Sequence, residues 1–370
     1  MQKLIIYGGA FNPPHNEHIL ALDNAKKILG LDKAIIVPSY YPPHKNGRDM
    51  VSFDLRFKMC SLAFPKDYIS DVERVSQQKN YSINTIKSLK LQYPNTELYY
   101  LIGGDSMADF FMWYKPEEIL KEVTLVVYPR ESREKDCNDA INKAKSLGGN
   151  IIKLDSVGQN ISSGEIRALF SLSAKLDGIV PKEIIDFVND KKLYSSKLVS
   201  LAKEKLSEKT FLHSVRTAIW ALELNRKVGL SQQKVFESAI LHDIEKNSST
   251  LLGVPIDAIS TPVAHQFSGA HTAKELGLCD DVVSAIMYHT TAKENMTALE
   301  KLIYSADMTE PIRDFEGVNE LREKLIFNLD EGFVACLKRS YDYLVSQNKD
   351  IYHLTEEAYN FYCKKENYGK

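Results

Sequence analysis

The residues best suited to chemistry fall into two groups far apart in the chain. Near the N-terminus an apolar run ends in Gly8-Gly9-Ala10-Phe11-Asn12-Pro13-Pro14-His15-Asn16-Glu17-His18. The glycines let backbone approach an anion closely, the prolines fix the entry to a helix, and a helix N-terminus favours negative charge. His15 and His18, three apart, can share a helix face and stabilise the charge that develops when a nucleophile attacks a phosphate. Near residue 160 lies a second stretch, Ile161-Ser162-Ser163-Gly164-Glu165-Ile166-Arg167, in which Ser162 and Glu165 have capping-box spacing. The N–H groups and hydroxyls at such a helix start, with Arg167 beside them, would hold phosphates. Either stretch alone is equally well an ordinary capped helix; the pairing of the two is what points to phosphate.

The second group is His213, the adjacent pair His242-Asp243, His265, His289 and Asp307, each in or beside a helical pattern. Six of the nine histidines lie in this half, so the bland reading of each as a satisfied core residue fits poorly. Imidazoles with carboxylates suit Fe, Mn, Zn or Mg, and the lack of thiolate ligands disfavours a structural zinc. Ligands drawn from separate helices imply an open site in the core of a helical bundle. His271 and His353 have no partner in the pattern.

These groups need scaffolds of different kinds. Up to about residue 194, short apolar runs at 4–7, 34–37, 68–72, 98–102, 124–128 and 151–154 alternate with helical stretches. Uninterrupted apolar strands between helices predict a parallel sheet covered on both faces, an α/β doubly wound domain with its ligands beyond the strand C-terminal ends. From Leu198 the periodicity is helical throughout, as in the stretches around His213 and His242, which predicts an all-α domain. The polar Ser195-Ser196-Lys197 marks the junction, giving domains 1–194 and 195–370.

Together, the glycine-histidine stretch and the Ser-Ser-x-x-Ile-Arg stretch resemble the marks of the nucleotidylyltransferase superfamily, over residues 1–194. The nearer likeness is to the bacterial nicotinate-nucleotide adenylyltransferases, supported by Pro42-Pro43-His44-Lys45, the helix of Arg56, Tyr81-Ser82-Ile83-Asn84-Thr85, Gly103-Gly104-Asp105-Ser106, Trp113-Tyr114 and Pro129-Arg130. The resemblance implies transfer of AMP from ATP, with Mg²⁺, to nicotinate mononucleotide, releasing pyrophosphate. It implies that His15, His18 and Lys45 meet the triphosphate, with Gly8, Gly9, Ala10, Phe11, Gly103, Arg130, Ser162, Ser163 and Arg167 around the nucleotides. Asp105 would face a ribose or the acceptor, Trp113 would stack on the nicotinate ring, and Thr85 would hold its carboxylate. Nicotinamide mononucleotide and phosphopantetheine are the alternative acceptors, and the Tyr81–Thr85 and Trp113-Tyr114 stretches favour a pyridine ring. Four positions depart from the pattern: Ala10, Asn12, Gly164, and Glu17, where a glycine is usual. A carboxylate turned toward phosphate at 4 Å would cost about 4 kcal/mol at an effective dielectric near 20, so Glu17 is expected to point away. Otherwise the first half would serve as a non-catalytic nucleotide-sensing module.

The order His, His-Asp, His, His, Asp is similar to that of the HD superfamily of metal-dependent phosphohydrolases, over residues 198 to about 345. More narrowly it resembles the bacterial members that split diadenosine tetraphosphate into two ADP. That likeness implies a two-metal site, of iron, with His213, His242, Asp243, His265, His289 and Asp307 as ligands. Lys246, Thr290 and Arg313 would bind phosphate.

A formal net charge of -2 excludes a global basic field for nucleic-acid binding, so anionic ligands must be held by local groups. Five scattered cysteines, never spaced C-x-x-C, fit reduced thiols. The first residues run straight into the glycine motif, and no apolar stretch reaches about 18 residues. A cytoplasmic enzyme acting on small-molecule nucleotides, without membrane or nucleic-acid partners, is therefore expected; homo-oligomerisation is left open.

Overall fold

The computed structural model describes residues 2–40, 50–75, 81–130, 133–249 and 251–364. It divides into two compact units, one running to Phe170 and including Lys175–Tyr194, the other made of Ser171–Ala174 and the residues from Ser195.

The first unit is built on six parallel strands in the order β3-β2-β1-β4-β5-β6. They are β1 Gln2–Gly9, β2 Ala34–Pro38, β3 Tyr68–Ile69, β4 Thr96–Gly103, β5 Thr124–Tyr128 and β6 Ile151–Lys153. Every residue of β2 is buried, and so are Leu125, Val126 and Val127 of β5, because helices cover both faces. β1 sits at the centre, with Ile6 opposite Ile35 on one side and Tyr100 on the other. Chain order reverses between β1 and β4, the point at which sheets of this kind bind ligands beyond the strand ends. Helix α1, Asn16–Leu29, follows β1; α2, Ser82–Gln92, precedes β4; α3, Gly104–Ala108, follows it; and α4, Ser163–Ser171, comes after β6.

The expected strand at 68–72 is shorter than its apolar run suggests. Ser70 still donates its N–H to the Ile36 carbonyl at 2.8 Å, but its hydroxyl then accepts from Val72 N–H at 3.3 Å. Arg74 N–H bonds back to Asp71, and Val72–Val75 turns into a helix. The Ser70 hydroxyl and the Asp71 backbone carbonyl offer these N–H groups local partners in place of the ladder.

Close approach bears on Gly8 and Gly104, which stand at the strand ends. A Cβ on Gly8 would lie 2.5 Å from the Tyr100 hydroxyl, and one on Gly104 only 2.9 Å from the Arg130 backbone nitrogen. The second contact is with backbone, so no rotamer change relieves it.

The second unit is helical. Its site-bearing helices are α5 Glu208–Val228, α6 Gln232–Leu241, α7 Ala264–Glu275, α8 Asp280–Met287 and α9 Ala298–Thr309; α10, Leu329–Ser346, follows. Capping fixes their ends. Ser207 accepts from Thr210 N–H and Gly229 closes α5 at φ 78°, while Thr297 and Glu300 form a reciprocal capping box on α9. Gly269 lets α7 lie close to α8, since a Cβ there would meet Ile286 at 3.3 Å. Among the described residues no helix is long and apolar enough to cross a membrane.

Replacing Gly104 by Ala should destabilise the first unit by about 1–3 kcal/mol through overpacking against Pro129-Arg130. Denaturant unfolding monitored by circular dichroism should show the lower midpoint; an unchanged midpoint would mean that α3 is not fixed by this contact.

Candidate active sites

In the first unit the two phosphate-type motifs are tied together. Ser163 Oγ donates to the Pro13 carbonyl at 3.0 Å, and Arg167 Nη1 donates to the Asn12 carbonyl at 3.0 Å and to the Ser163 carbonyl at 3.1 Å. Ser162 Oγ accepts from Glu165 N–H at 3.1 Å and so caps α4. The start of α4 is thereby fixed on the loop that leads from β1 into α1. The same loop is braced from the other side by Arg56, which is buried and donates to the Ala10 carbonyl at 2.9 Å and the Val51 carbonyl at 3.2 Å. Phe11, at φ 45°, buries its ring 5.2 Å from His18. Gly8 and Gly9 both have φ outside the left-handed region, so close packing and not conformational freedom accounts for Gly8.

His15 and His18 lie side by side, ring centroids 3.8 Å apart. His18 Nδ1 accepts from the His15 backbone N–H at 3.2 Å, which places a neutral His18's proton on Nε2. Burial pushes His15 down to about 3, helped by the Arg130 guanidinium, so His15 is a neutral imidazole at physiological pH. Its Nδ1 is buried without a hydrogen-bond partner among the described residues. Arg130 itself pairs with Asp105 at 3.2 Å across the ends of β4 and β5. The Glu17 carboxylate accepts from the Gln159 N–H at 2.9 Å and the Tyr128 hydroxyl at 3.3 Å, an engagement its residue type does not announce.

Other expected site residues stand differently. Thr85 is buried and its hydroxyl donates to Glu73 at 2.9 Å, while the other Glu73 oxygen accepts from Tyr40 N–H. Trp113 packs against the sheet's core with its ring 5.5 Å from Phe110. A cavity of about 350 Å³ beside α2 is lined by Tyr81, Asn84 and Tyr114 but not by Trp113 or Thr85. Gly103 ends β4 and has open space around it. Lys45 lies outside the described residues.

In the second unit His213, His242, Asp243, His265, His289 and Asp307 converge. Their atoms form overlapping groups of three that could each hold a metal ion. His213 comes from α5, His242 and Asp243 from the end of α6, His265 from α7, His289 from just after α8, and Asp307 from α9. Asp243 stands between two imidazole pairs. Its Oδ1 lies 3.2 Å from His265 Nε2 and 3.4 Å from His289 Nε2; its Oδ2 lies 3.6 Å from His242 Nε2 and 4.0 Å from His213 Nε2. Asp307 Oδ1 closes the second group, 2.8 Å from His213 Nε2.

The outer nitrogens fix what the inner ones can do. His242, His265 and His289 donate from Nδ1 to the carbonyls of Ala239, Pro262 and Ile286 at 2.7, 2.9 and 2.7 Å. His213 donates from Nδ1 to Glu310 at 3.2 Å, and Arg216 holds Glu310 at 2.9 Å. Carbonyls and carboxylates only accept, so each neutral imidazole carries its lone pair on Nε2. Yet the Nε2 atoms face one another, at 3.2 Å for His265 and His289 and 3.3 Å for His213 and His242. Opposed lone pairs need a cation between them, and this donor set fits metal ions. Lys246 stands at one group in that manner, its Nζ 3.2 Å from Asp243 Oδ1 and 3.1 Å from His265 Nε2.

Burial opposes ionisation of Asp243, but His242, His265 and His289 overcome it and hold the carboxyl well below the usual carboxylate range. Burial likewise opposes Asp307, which His213 and His242 hold low, and pushes His242 down to about 4. Burial thus favours neutral, ligating imidazoles at His242 and His265 beside the ionised carboxylates, whereas at His213 the opposing effect of burial is outweighed by Asp307 and Glu310, which favour its proton. Thr290 Oγ1 lies 3.1 Å from His289 Nε2, and Arg313 pairs with Asp307 at 2.9 Å. A cavity of about 480 Å³ opens onto His289, Thr290 and Asp307. Glu310, Arg216 and Gln266, whose amide oxygen accepts the N–H groups of Thr290 and Thr291, were not among the expected residues. Only the position of Glu310, three after Asp307, hints at a shared role.

Asp243→Ala should remove the carboxylate common to both groups. Elemental analysis of the purified variant should find loss of bound transition metal relative to the parent with an unchanged far-UV spectrum; full metal retention would show that Asp243 is not a ligand.

Comparison with known proteins agrees with this division. The cytidylyltransferase-like family model matches residues 6–169 and the HD domain model matches residues 210–312. The chain is 35% identical over 184 residues to a probable nicotinate-nucleotide adenylyltransferase of Pseudothermotoga lettingae, covering 49% of this chain and 92% of that one. It is 26% identical over 362 residues to a probable nicotinate-nucleotide adenylyltransferase/Ap4A hydrolase of Mycoplasma genitalium, covering 91% of this chain and 97% of that one. A crystal structure of a predicted HD superfamily hydrolase involved in NAD metabolism from Clostridium acetobutylicum aligns with 46% of this chain and 96% of its own, at 27% identity and a TM-score of 0.40. With its first half matched this closely and a metal-ligand cluster in the second, the chain is an enzyme that belongs to the nicotinate-nucleotide adenylyltransferase family and carries an HD domain behind its transferase fold.

Proposed function

We propose that the first unit transfers AMP from ATP to nicotinate mononucleotide, giving deamido-NAD and pyrophosphate, and that the second hydrolyses diadenosine tetraphosphate, or a related nucleotide, to ADP in the cytoplasm. The observation that carries the first assignment is the pair of bonds from Ser163 and Arg167 to the carbonyls of Pro13 and Asn12. They hold the start of α4 against the loop entering α1, which brings that helix start to the segment bearing His15 and His18. There the acceptor's phosphate oxygen attacks the α-phosphorus of ATP in line and the bond to pyrophosphate breaks. His18, with its proton on Nε2, and neutral His15 would stabilise the oxygens by hydrogen bonding; Arg130 and Lys45 would bring positive charge, and Mg²⁺, when bound with ATP, would supply more. Asp105 is positioned by Arg130 for a ribose hydroxyl or the acceptor. Trp113 is the candidate platform for the pyridine ring, and Thr85 would have to turn its hydroxyl proton from Glu73 to hold the nicotinate carboxylate. The engagement of Glu17 with Tyr128 and Gln159 supports a working transferase, because the carboxylate has partners of its own.

The second assignment rests on the sharing of Asp243 between two imidazole pairs. Two cations, which we propose to be iron, would there supply an activated water and polarise a phosphoryl oxygen. The residues of the chain orient the reaction: the Nδ1 bonds aim the imidazoles, Glu310 steadies His213, and Lys246, Thr290 and Arg313 meet the phosphates.

With ATP, Mg²⁺ and nicotinate mononucleotide the protein should release pyrophosphate, and His18→Ala should lower kcat/KM by roughly a hundredfold or more. No release, or a variant equal to the parent, would remove the first assignment. Separately, the metal-loaded protein should turn diadenosine tetraphosphate into ADP alone when products are resolved by chromatography; ATP and AMP as products would contradict symmetrical cleavage.

A further inference from the structure

The cavity beside the metal cluster is walled largely by apolar and aromatic side chains, among them Met308, Phe315 and Tyr343, and it also exposes two guanidinium groups, Arg313 and Arg339. The two differ. Arg313 is neutralised by Asp307 at 2.9 Å, as Arg216 elsewhere is neutralised by Glu310. Arg339, on α10, has no carboxylate partner among the described residues and stands 5.6 Å over the Phe315 ring. A half-buried guanidinium carries a desolvation cost that a counter-anion normally offsets, and stacking on one ring supplies only part of it. Ser340 beside it is already engaged with the Tyr304 hydroxyl, which leaves Arg339 as the cationic donor on this wall without a carboxylate among the described residues.

We propose that Arg339 and Phe315 form the subsite for one nucleoside diphosphate half of the substrate, with Arg339 pairing to its phosphate and Phe315 and Tyr343 lining the base. This rests on the reading of the metal cluster as a nucleotide phosphohydrolase and adds the residues that select its substrate. The volume suits one nucleotide and not a whole dinucleotide. A symmetrical substrate would place one half in the cavity and leave the other on the open side of the metal ligands, so that the bond between the halves lies at the metals. Both Phe315 and Arg339 lie beyond residue 312, where the HD match ends. The hydrolytic centre is thus common to the domain, while its nucleotide selectivity comes from later segments of this chain.

Calorimetric titration of ADP into the full-length, metal-loaded protein tests the subsite. Any ADP site in the first unit is common to parent and variant, so the difference between them reads only the second unit. Arg339→Met should weaken one binding event by roughly ten- to hundredfold with metal content and melting temperature unchanged, and Arg339→Lys should restore part of the affinity. Superimposable isotherms for parent and Arg339→Met overturn the proposal. If Arg339→Met does not fold, Phe315→Leu carries the test: it should weaken ADP but not pyrophosphate, and equal effects on both, or none, overturn it. Arg339-dependent ADP binding by a protein that leaves diadenosine tetraphosphate intact would keep the subsite and remove only the substrate proposed above.

Discussion

One buried carboxylate organises the second half of this chain. Asp243 sits between two pairs of imidazoles whose inner nitrogens face each other as acceptors, and no arrangement of neutral side chains satisfies that geometry. A cation on each side does. The helices α5 to α9 therefore act together, because each carries a candidate ligand or ends beside one, and a backbone carbonyl under three of the imidazoles sets the tautomer that would suit a metal. The exception is His213, whose outer partner is the Glu310 carboxylate held by Arg216. That makes the group around His213, His242 and Asp307 richer in negative charge than the one around His265 and His289, where Lys246 brings a positive charge instead.

The first half solves a related problem without built-in cations. Its anions must be met by backbone N–H groups, neutral imidazoles and a few basic side chains, so the loop between β1 and α1 has to be held in one shape. Arg56 grips it at Ala10, Arg167 at Asn12 and Ser163 at Pro13. Two arginines thus serve the carbonyls of a loop, and a residue type that suggests phosphate binding has a structural role here as well. Glu17 follows the same logic in reverse: its charge is absorbed by Tyr128 and the Gln159 N–H, linking α1 to the segment before α4.

Much of this was legible from residue order alone. All six strands appear, and in β2 and β5, buried on both faces, continuous apolar runs leave no alternation to misread. The run at 68–72 misled where Ser70 and Asp71 offered local hydrogen bonds that hydrophobicity does not register. The metal-type residues announced themselves through the adjacent His242-Asp243 pair and the helical context of the rest. What surrounds them did not: the partners of three imidazoles are backbone carbonyls, which have no signature in residue type. Glu73 against Thr85, Gln266 against Thr290 and Arg339 over Phe315 are likewise meetings of distant segments, visible only once the helices are packed.

The central claim is that Asp243 bridges two metal ions, and anomalous diffraction from crystals grown with the metal retained tests it most directly. Two peaks about 3.5–4 Å apart are expected, one on each side of the Asp243 carboxylate, contacted by Nε2 of His213 and His242 on one side and of His265 and His289 on the other. A single peak, or metal bound away from Asp243, would contradict the account.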